Sequence, residues 1–453
     1  MKRESSVILQ RLAEQVFVVL ALLFYSEALT AHLPVEHPIY QMVPIFNLVI
    51  QAVTILLLIT RRKRVVRIII REKLLWVLMI IVLASVFYSD VPMWALYHTD
   101  NEIAGGQAKG FLPLIQMTLF GVYFGTRYGL KKQLQLVTWM FGIVALLSIV
   151  LGLALPQYGV MGAAKLLSDS DKAHVGAWQG VYIHKNHLGS NMNLSALVFL
   201  LLTPISQKHR WVKWAGFSIS VGLIVLSTAK SALIIFLTMM ALLALYRALR
   251  WNYSLAVPFF ITVLLVAGGV ATLFLGNAET ILGAFGRDTT LTGRTDFWPV
   301  IVDKIWNHPW LGYGYHVFWR GWEGESADIW RIIQVTHAHN GFLDVCLDIG
   351  LLGFCVFALS FITGCLRAVA WVRLTKNAEG LWPLGYLTFV LLSNLTESFI
   401  MREDVLWILY VAITLAMHNK AENLAENHTF WQQKVKTGAI KQTTKVLDVN
   451  AHQ

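Results

Sequence analysis

The chain has 453 residues, of which 56% are hydrophobic and 14% are charged, and its formal net charge is +11. This composition excludes an ordinary soluble domain and indicates a protein that is solvated largely by a lipid bilayer. The basic residues fall in short clusters between apolar runs, which argues against a nucleic-acid partner and indicates a membrane-topology signal.

Twelve apolar stretches follow one another along the chain, and each supplies most of the roughly 20 helical residues that cross a bilayer. They cover residues 14–31, 42–60, 74–95, 110–125, 134–155, 187–205, 212–228, 231–248, 256–276, 341–366, 383–400 and 405–417. As one helix, residues 212–248 would be about 55 Å long, more than a membrane is thick. We therefore predict a reversal at 227–231, which leaves Lys230 at a membrane surface, and an all-α polytopic transmembrane bundle of about twelve spans.

The distribution of basic residues sets the orientation, because short cytoplasmic loops carry an excess of Lys and Arg. With both termini in the cytoplasm, 26 of the 37 Lys and Arg residues fall on the inner side. The longer connections, 90–109, 156–186 and 277–340, then lie outside. A connection as long as the last is usually functional, so we expect the chemistry on the outer face.

Two helices are predicted within this outer loop. Thr292 or Thr295 is suited to cap a helix over 296–306, and a second helix over 327–335 is expected at the membrane interface. The apolar face of the first helix consists of Phe297, Ile301 and Ile305.

Polar and charged residues gather at the outer ends of five separate segments. They are His184, Lys185, Asn186, His187, Lys230, Arg294, His337, His339, Asn340, Glu397, Arg402, Glu403 and Asp404. This convergence on one face carries the functional hypothesis.

Two of the cations allow both a functional and a structural interpretation. Arg294 is predicted at a helix N-terminus, where its charge adds to backbone N–H groups that bind phosphate oxygens, but a solvated loop arginine fits equally well. Lys230 can instead extend to the lipid headgroups, as most lysines at span ends do.

The histidines and carboxylates are weighed in the same way. His339 lies where the loop re-enters the membrane, and a neutral imidazole there can take a proton from a sugar hydroxyl as a general base. Glu397 lies in or near a span, where it can pair with Lys230 or Arg294 or position a substrate. For the other histidines a structural role is the favoured interpretation of each: His184, His187, His308, His316 and His337. Asp344 and Asp348 share one helix face and can simply line a polar seam.

A metal site is the competing use of such groups. The residues that would supply hard ligands are Asp90, His98, Asp100, Glu102, Asp169 and Asp171. Their spacing matches no recognised site, so we predict no metal.

Five motifs in order give a family resemblance. They are residues 180–189 around His184-Lys185-Asn186-His187, 226–231 around Lys230, 292–298 around Arg294, 311–314, and 337–343 with His337, His339 and Asn340. On these motifs, residues 134–417 resemble the O-antigen ligase and polymerase family, and the His184-Lys185-Asn186 run is most similar to its exopolysaccharide polymerases.

The resemblance implies a metal-independent, inverting glycosyltransferase without a cofactor, with a fold similar to the C-type membrane glycosyltransferases. Its donor would be an oligosaccharide on undecaprenyl diphosphate at the periplasmic face of the bacterial inner membrane. Arg294 matches the family's diphosphate-binding arginine, and His339 matches the histidine proposed to activate the acceptor. Lys230 stands where many relatives have arginine and lacks its bidentate fork. Lys185 is expected to assist both cations at the diphosphate. The supporting residues are His184, His187, His337, Asn340 and Glu397.

The resemblance divides the chain into residues 1–133 with four spans, a catalytic membrane region over 134–420 that includes the 277–340 loop, and a cytoplasmic tail over 421–453. Besides membrane lipids, a flippase and a chain-length regulator are the expected partners. A ligase that transfers the glycan to lipid A core is the alternative to a polymerase, since both use the same donor. A transporter or flippase is a third class, although its binding groups would more often lie near the membrane midplane.

Overall fold

The computed structural model describes residues 2–32, 37–99, 108–162, 174–203, 210–276, 294–332 and 334–418. The chain is helical through most of these ranges, and a short antiparallel pair joins β1 (His98–Thr99) to β2 (Ala108–Lys109). The predicted all-α class is confirmed. The predicted tail over 421–453 lies outside the described residues, as does the part of the outer loop over 277–293.

The α-helices of the described ranges vary widely in length. In chain order they are α1 (Lys2–Tyr25), α2 (Pro38–Gln41), α3 (Val43–Thr60), α4 (Arg62–Ile69), α5 (Lys73–Tyr88), α6 (Pro92–Leu96), α7 (Phe111–Arg127), α8 (Leu130–Ala154), α9 (Pro156–Gly159), α10 (Lys185–Leu201), α11 (Arg210–Leu226), α12 (Lys230–Tyr246), α13 (Tyr253–Gly276), α14 (Arg294–Asn307), α15 (Ala327–Ile332), α16 (Gly341–Leu374), α17 (Trp382–Ser393) and α18 (Val405–His418). Short 3-10 helices cover Arg247–Arg250, Gly321–Glu323 and Ala378–Leu381.

Five helical segments in the described ranges are long and apolar enough to cross a membrane, judged by length and composition. They are Ile8–Tyr25, Val43–Thr60, Leu130–Ala154, Lys230–Arg250 and Gly341–Leu374. Large apolar side chains such as Leu48, Leu153 and Leu265 are exposed on the outside of the helices, as expected where the solvent is lipid. The chain is therefore a multi-pass helical membrane protein, and the count of about twelve spans stays a prediction.

The central helices share one apolar core. Buried side chains of α1, α5, α7, α8, α10, α12, α17 and α18 contribute to it. The predicted reversal is confirmed, because α11 ends at Leu226 and α12 begins at Lys230, with Thr228 at a φ of 52° in the turn. The end of α10 that bears His184 and Lys185 packs against this turn: a Cβ on Gly189 would lie 2.6 Å from the Cβ of Ala232.

The loop helix predicted over 296–306 is confirmed as α14, and its face of Phe297, Ile301 and Ile305 is buried. Because α14 begins at Arg294, Thr295 lies within the helix and not before it, and Thr292 lies outside the described residues. The second predicted helix is confirmed over Ala327–Ile332, which is shorter than predicted.

Helix α16 is broken after its second turn, whereas the sequence analysis treats 341–366 as one span. Ile349 and Gly350 leave helical geometry, and Gly350 has a φ of 66°. The backbone groups that the break releases bind the preceding loop: Leu351 N donates to Pro309 O at 2.7 Å, and Tyr313 N donates to Leu347 O at 2.8 Å. The break therefore attaches the outer loop to the membrane helices.

Candidate functional site

Glu397 lies in the non-helical segment between α17 and α18 and is 4% exposed. Its Oε2 atom is 3.5 Å from Nδ1 of His339 and 3.7 Å from Nε2 of His337. Its Oε1 atom accepts a hydrogen bond from Nδ2 of Asn186 at 2.9 Å. One carboxylate thus joins three of the segments that the sequence analysis placed on the same face.

The charge of Glu397 follows from these neighbours. Burial by itself raises the pKa of a carboxyl, but the neighbouring imidazoles of His337 and His339 outweigh burial and hold the pKa of Glu397 well below its usual range. The predicted pairing of Glu397 with Lys230 is wrong, because two imidazoles and an amide surround the carboxylate instead. The predicted pairing with Arg294 concerns a side chain outside the described residues.

The segment 337–340 carries both imidazoles. The rings of His337 and His339 lie 4.1 Å apart, and His339 has a left-handed φ of 50°. Both backbone polar groups of Ala338 are hydrogen-bonded: its N–H donates to Oδ1 of Asp344 at 3.1 Å, and its carbonyl accepts from Nε1 of Trp298 at 3.0 Å. The strained backbone and these bonds fix the direction of both rings.

Two of the predicted supporting residues act as helix caps. The Asn340 side chain accepts hydrogen bonds from the N–H groups of Phe342 and Leu343 at the start of α16. His184 accepts through Nδ1 from the N–H of Asn186 at the start of α10. The structural interpretation of His184 is therefore confirmed, and its cap directs Asn186 toward Glu397.

The predicted diphosphate ligands stand at the starts of three helices. Lys185 opens α10 and Lys230 opens α12, and their ammonium groups are close enough to repel each other. A bound anion between two such cations relieves their repulsion. Arg294 is the first residue of α14, four residues before Trp298, and its side chain lies outside the described residues.

A second charged network, which the sequence analysis did not assemble, adjoins the first. Nη1 of Arg402 lies 2.9 Å from Oδ2 of Asp348, and Nη2 lies 3.6 Å from Oδ2 of Asp344. Nε2 of His316 lies 2.9 Å from Oε2 of Glu403. Burial lowers the pKa of His316 to about 4, so its neutral ring donates to Glu403 at neutral pH.

A cavity of about 180 Å³ lies between these two networks. Its wall includes Glu27, Lys109, His187, His316, Trp319, His337, Glu397, Arg402, Glu403 and Asp404. Burial, with the neighbouring Asp404, raises the pKa of Glu27 to about 8. Glu27 follows the end of α1 at Tyr25 and was missed by the sequence analysis, although a carboxylate at the edge of an apolar stretch is a signal of function.

The His337, His339 and Glu397 side chains are also able to hold a metal ion, since their donor atoms all lie within 4.8 Å of one another. Two imidazoles and a carboxylate form a ligand set that zinc accepts. The structure places neither Asp90 nor His98 in this group; Asp90 is exposed, and His98 stacks on Trp94 at 4.1 Å. The other acidic residues considered from the sequence lie outside the described ranges: Asp100, Glu102, Asp169 and Asp171.

Comparison with known proteins adds a family to this geometry. Residues 215–358 match the family described as O-antigen ligase. Over 227 residues, or 47% of this chain, the sequence is 29% identical to Exopolysaccharide production protein ExoQ of Rhizobium meliloti (strain 1021). The match spans about half of that relative, 52% of its length. The resemblance to the O-antigen ligase and polymerase family that the motifs indicated is therefore confirmed, in a helical membrane protein.

Proposed function

We propose that this protein polymerises a bacterial cell-surface polysaccharide by transferring a glycan from undecaprenyl diphosphate to a sugar hydroxyl at the periplasmic face of the inner membrane. The observation that carries the proposal is the contact of the Glu397 carboxylate with His339 and His337 at the outer loop's re-entry into the helices. An ionised carboxylate beside an imidazole is the arrangement that orients a general base.

In the proposed reaction His339 is the base. With its Nδ1–H directed at Glu397, its Nε2 atom is left to accept the proton of the acceptor hydroxyl. The hydroxyl oxygen forms a bond to the anomeric carbon, the bond from that carbon to the diphosphate breaks, and the electron pair leaves with the diphosphate. Glu397 stabilises the imidazolium that forms, and attack from the face opposite the leaving group inverts the anomeric centre.

The leaving group takes up negative charge during this step. Lys185 and Lys230 lie next to each other at the ends of two helices, and Arg294 opens a third. Cations fixed in place before the reaction stabilise developing charge without reorganisation. We therefore assign these three residues to the diphosphate, and no metal ion to the reaction.

The acceptor sugar is assigned to the cavity beside His337 and Glu397. Its volume, about 180 Å³, is below the roughly 300–1,000 Å³ of pockets for drug-sized ligands and suits one sugar ring. Its carboxylates accept hydrogen bonds from hydroxyls, and the Trp319 ring offers an apolar surface.

A ligase is the second candidate, because the family that residues 215–358 match is described as O-antigen ligase. The name of the relative, an exopolysaccharide production protein, favours the polymerase. A flippase that delivers the donor and a chain-length regulator are the proposed partners. A transporter fits less well, since the charged groups gather at helix ends.

The test uses the purified full chain in detergent with synthetic lipid-linked repeat units, and product length is read on a gel. We expect polymer with the wild-type protein and with His308→Ala, whose ring packs against Tyr313, and none with His339→Ala. Addition of a chelator should leave the activity unchanged. Polymer from His339→Ala would show that His339 is not the base. Activity that a chelator abolishes and zinc restores would show that the reaction needs a metal ion.

A further inference from the structure

The Asp344 side chain lies at the centre of the contacts that support the site, although nothing in the proposed chemistry uses it. Asp344 is in the first turn of α16 and is 1% exposed. Its carboxylate accepts from Nε1 of Trp319 at 2.7 Å, from the N–H of Ala338 and from the hydroxyl of Ser398, and it faces the Arg402 guanidinium at 3.6 Å. One buried carboxylate thus collects donors from three separate segments.

Two of these donors belong to the segments that carry the proposed base and its carboxylate partner. Ala338 separates His337 from His339, and its peptide is held between Asp344 and Trp298. Ser398 follows Glu397 directly. The distance between His339 and Glu397 therefore depends on a side chain that touches neither of them.

We propose that Asp344 is a positioning residue that sets the geometry of the His339–Glu397 pair. The proposal rests on the proposed function, in which His339 is the base. Near-attack geometry is demanding, and a misplacement of about 1 Å costs on the order of 100-fold in rate. His339 has a left-handed backbone φ of 50°, which a residue other than glycine keeps only where its surroundings restrain the backbone. The hydrogen bonds to Ala338 supply that restraint.

The alternative is that Asp344 is only half of a buried ion pair with Arg402. Asp348 provides the matched control, since it lies one turn further along the same broken helix and is 3% exposed. It pairs with the same Arg402 at 2.9 Å and accepts from the N–H of His316 at 3.2 Å. The contacts described for Asp348 include neither Ala338 nor Ser398. Asp348 therefore pairs with Arg402, as Asp344 does, but does not hold the segments of His339 and Glu397.

The experiment compares Asp344→Asn with Asp348→Asn in the full chain in detergent, together with His339→Ala. Asparagine keeps the shape of aspartate but replaces one acceptor oxygen by an NH2 group, so its single oxygen cannot accept from Ser398 on one side and from Ala338 and Trp319 on the other. We expect Asp344→Asn to lower kcat about 100-fold with little change in the donor KM, and Asp348→Asn to lose far less. Hydrogen exchange of the amides in 336–340 should be faster in Asp344→Asn than in Asp348→Asn or the wild type.

Trp298→Phe removes the hydrogen bond to the Ala338 carbonyl. This variant tests the same proposal if Asp344→Asn does not fold. We expect it too to accelerate exchange in 336–340 and to lower kcat. Equal losses in the two aspartate variants, or unchanged exchange in 336–340, would overturn the positioning role. If His339→Ala is fully active, the proposed function fails; if His339→Ala is inactive while Asp344→Asn is fully active, only the positioning role fails.

Discussion

At the scale of single residues, the proposed chemistry depends on a carboxylate that keeps its charge although it is buried. Glu397 remains ionised because His337, His339 and Asn186 surround it with donors. An ionised carboxylate orients an imidazole and balances the charge that the imidazole gains as a base. The pair is the smallest unit of the proposed mechanism.

The first prediction concerns this unit. Glu397→Gln should lower kcat by about 100-fold or more, because a neutral amide cannot stabilise the imidazolium. The control is Glu379→Gln, which changes a buried carboxylate that lies 3.4 Å from Lys131, away from the site. Turnover of lipid-linked repeat units by both purified variants tests the prediction, and equal activities would contradict it.

The second prediction is a dependence of stability on pH. The pKa of Glu27 is raised from 4.5 to about 8, so its contribution to stability is complete below pH 4.5 and is lost as the pH rises through about 8. Glu27→Gln should therefore gain Tm relative to the wild type, by a few degrees, as the pH rises from 4.5 to 8. Thermal unfolding in detergent across this range measures the difference, and a difference independent of pH would contradict the assignment.

The sequence predicted the residue types of the site better than their contacts. His339, Lys185 and Lys230 were found because they stand at the ends of apolar stretches, where a polar residue is conspicuous. The bonds from Ala338 to Asp344 and from Asn186 to Glu397 join residues 6 and 211 positions apart. Such contacts depend on how the helices pack and on a left-handed residue, neither of which has a spacing signal.

At the scale of elements, the break in α16 links the outer loop to the site. Gly350 lets the chain leave the helix, and a Cβ at this position would lie 2.3 Å from the backbone carbon of Trp310. The freed N–H of Leu351 binds the loop, and the helical turn before the break carries Asp344 and Asp348. The break at Gly350 therefore both attaches the loop and places these two aspartates.

The third prediction tests this link. Gly350→Ala should lower both Tm and activity, since alanine is strained at a φ of 66° and meets the loop backbone. Gly222→Ala is the control, because that helical glycine has open space around it and alanine favours a helix. Thermal unfolding and polymer yield of the two variants are the measurements. Similar behaviour of both variants would mean that the break does not hold the loop.

The elements themselves were largely predictable where hydrophobicity dictates them. The reversal before Lys230 followed from the length of the stretch and from the polar interruption at 227–231, and α14 followed from its apolar face. The break at Ile349 and Gly350 was not found, because the apolar run continues through it and one glycine in a helix is often tolerated. Hydrophobic patterns report burial, whereas the break is decided by the backbone hydrogen bonds of the loop.

At the scale of the whole molecule, the charge distribution and the site give one orientation. The clusters of Lys and Arg between apolar stretches predict the inner side, and the converging polar residues define the other end of the helices. The cations assigned to the diphosphate and the carboxylate-lined cavity both lie at that end. A donor in the outer leaflet would meet its acceptor there.

The fourth prediction is the topology. A cysteine at Trp310, which is 71% exposed in the outer loop, should react with a membrane-impermeant maleimide added to intact spheroplasts. A cysteine at Trp251, which is 46% exposed beside Arg250, should react only after the membrane is opened. The unsubstituted chain gives the background from its three cysteines. The reverse pattern of labelling would place the site in the cytoplasm.

The most direct test of the central claim is the profile of lipid-linked glycans in a strain that lacks this protein, with either the wild-type or the His339→Ala chain restored. We predict that single repeat units on undecaprenyl diphosphate accumulate in the deletion strain and with His339→Ala, and that the wild-type chain removes them. Accumulation of long chains on the lipid carrier, together with unmodified lipid A core, would contradict the polymerase and indicate the ligase.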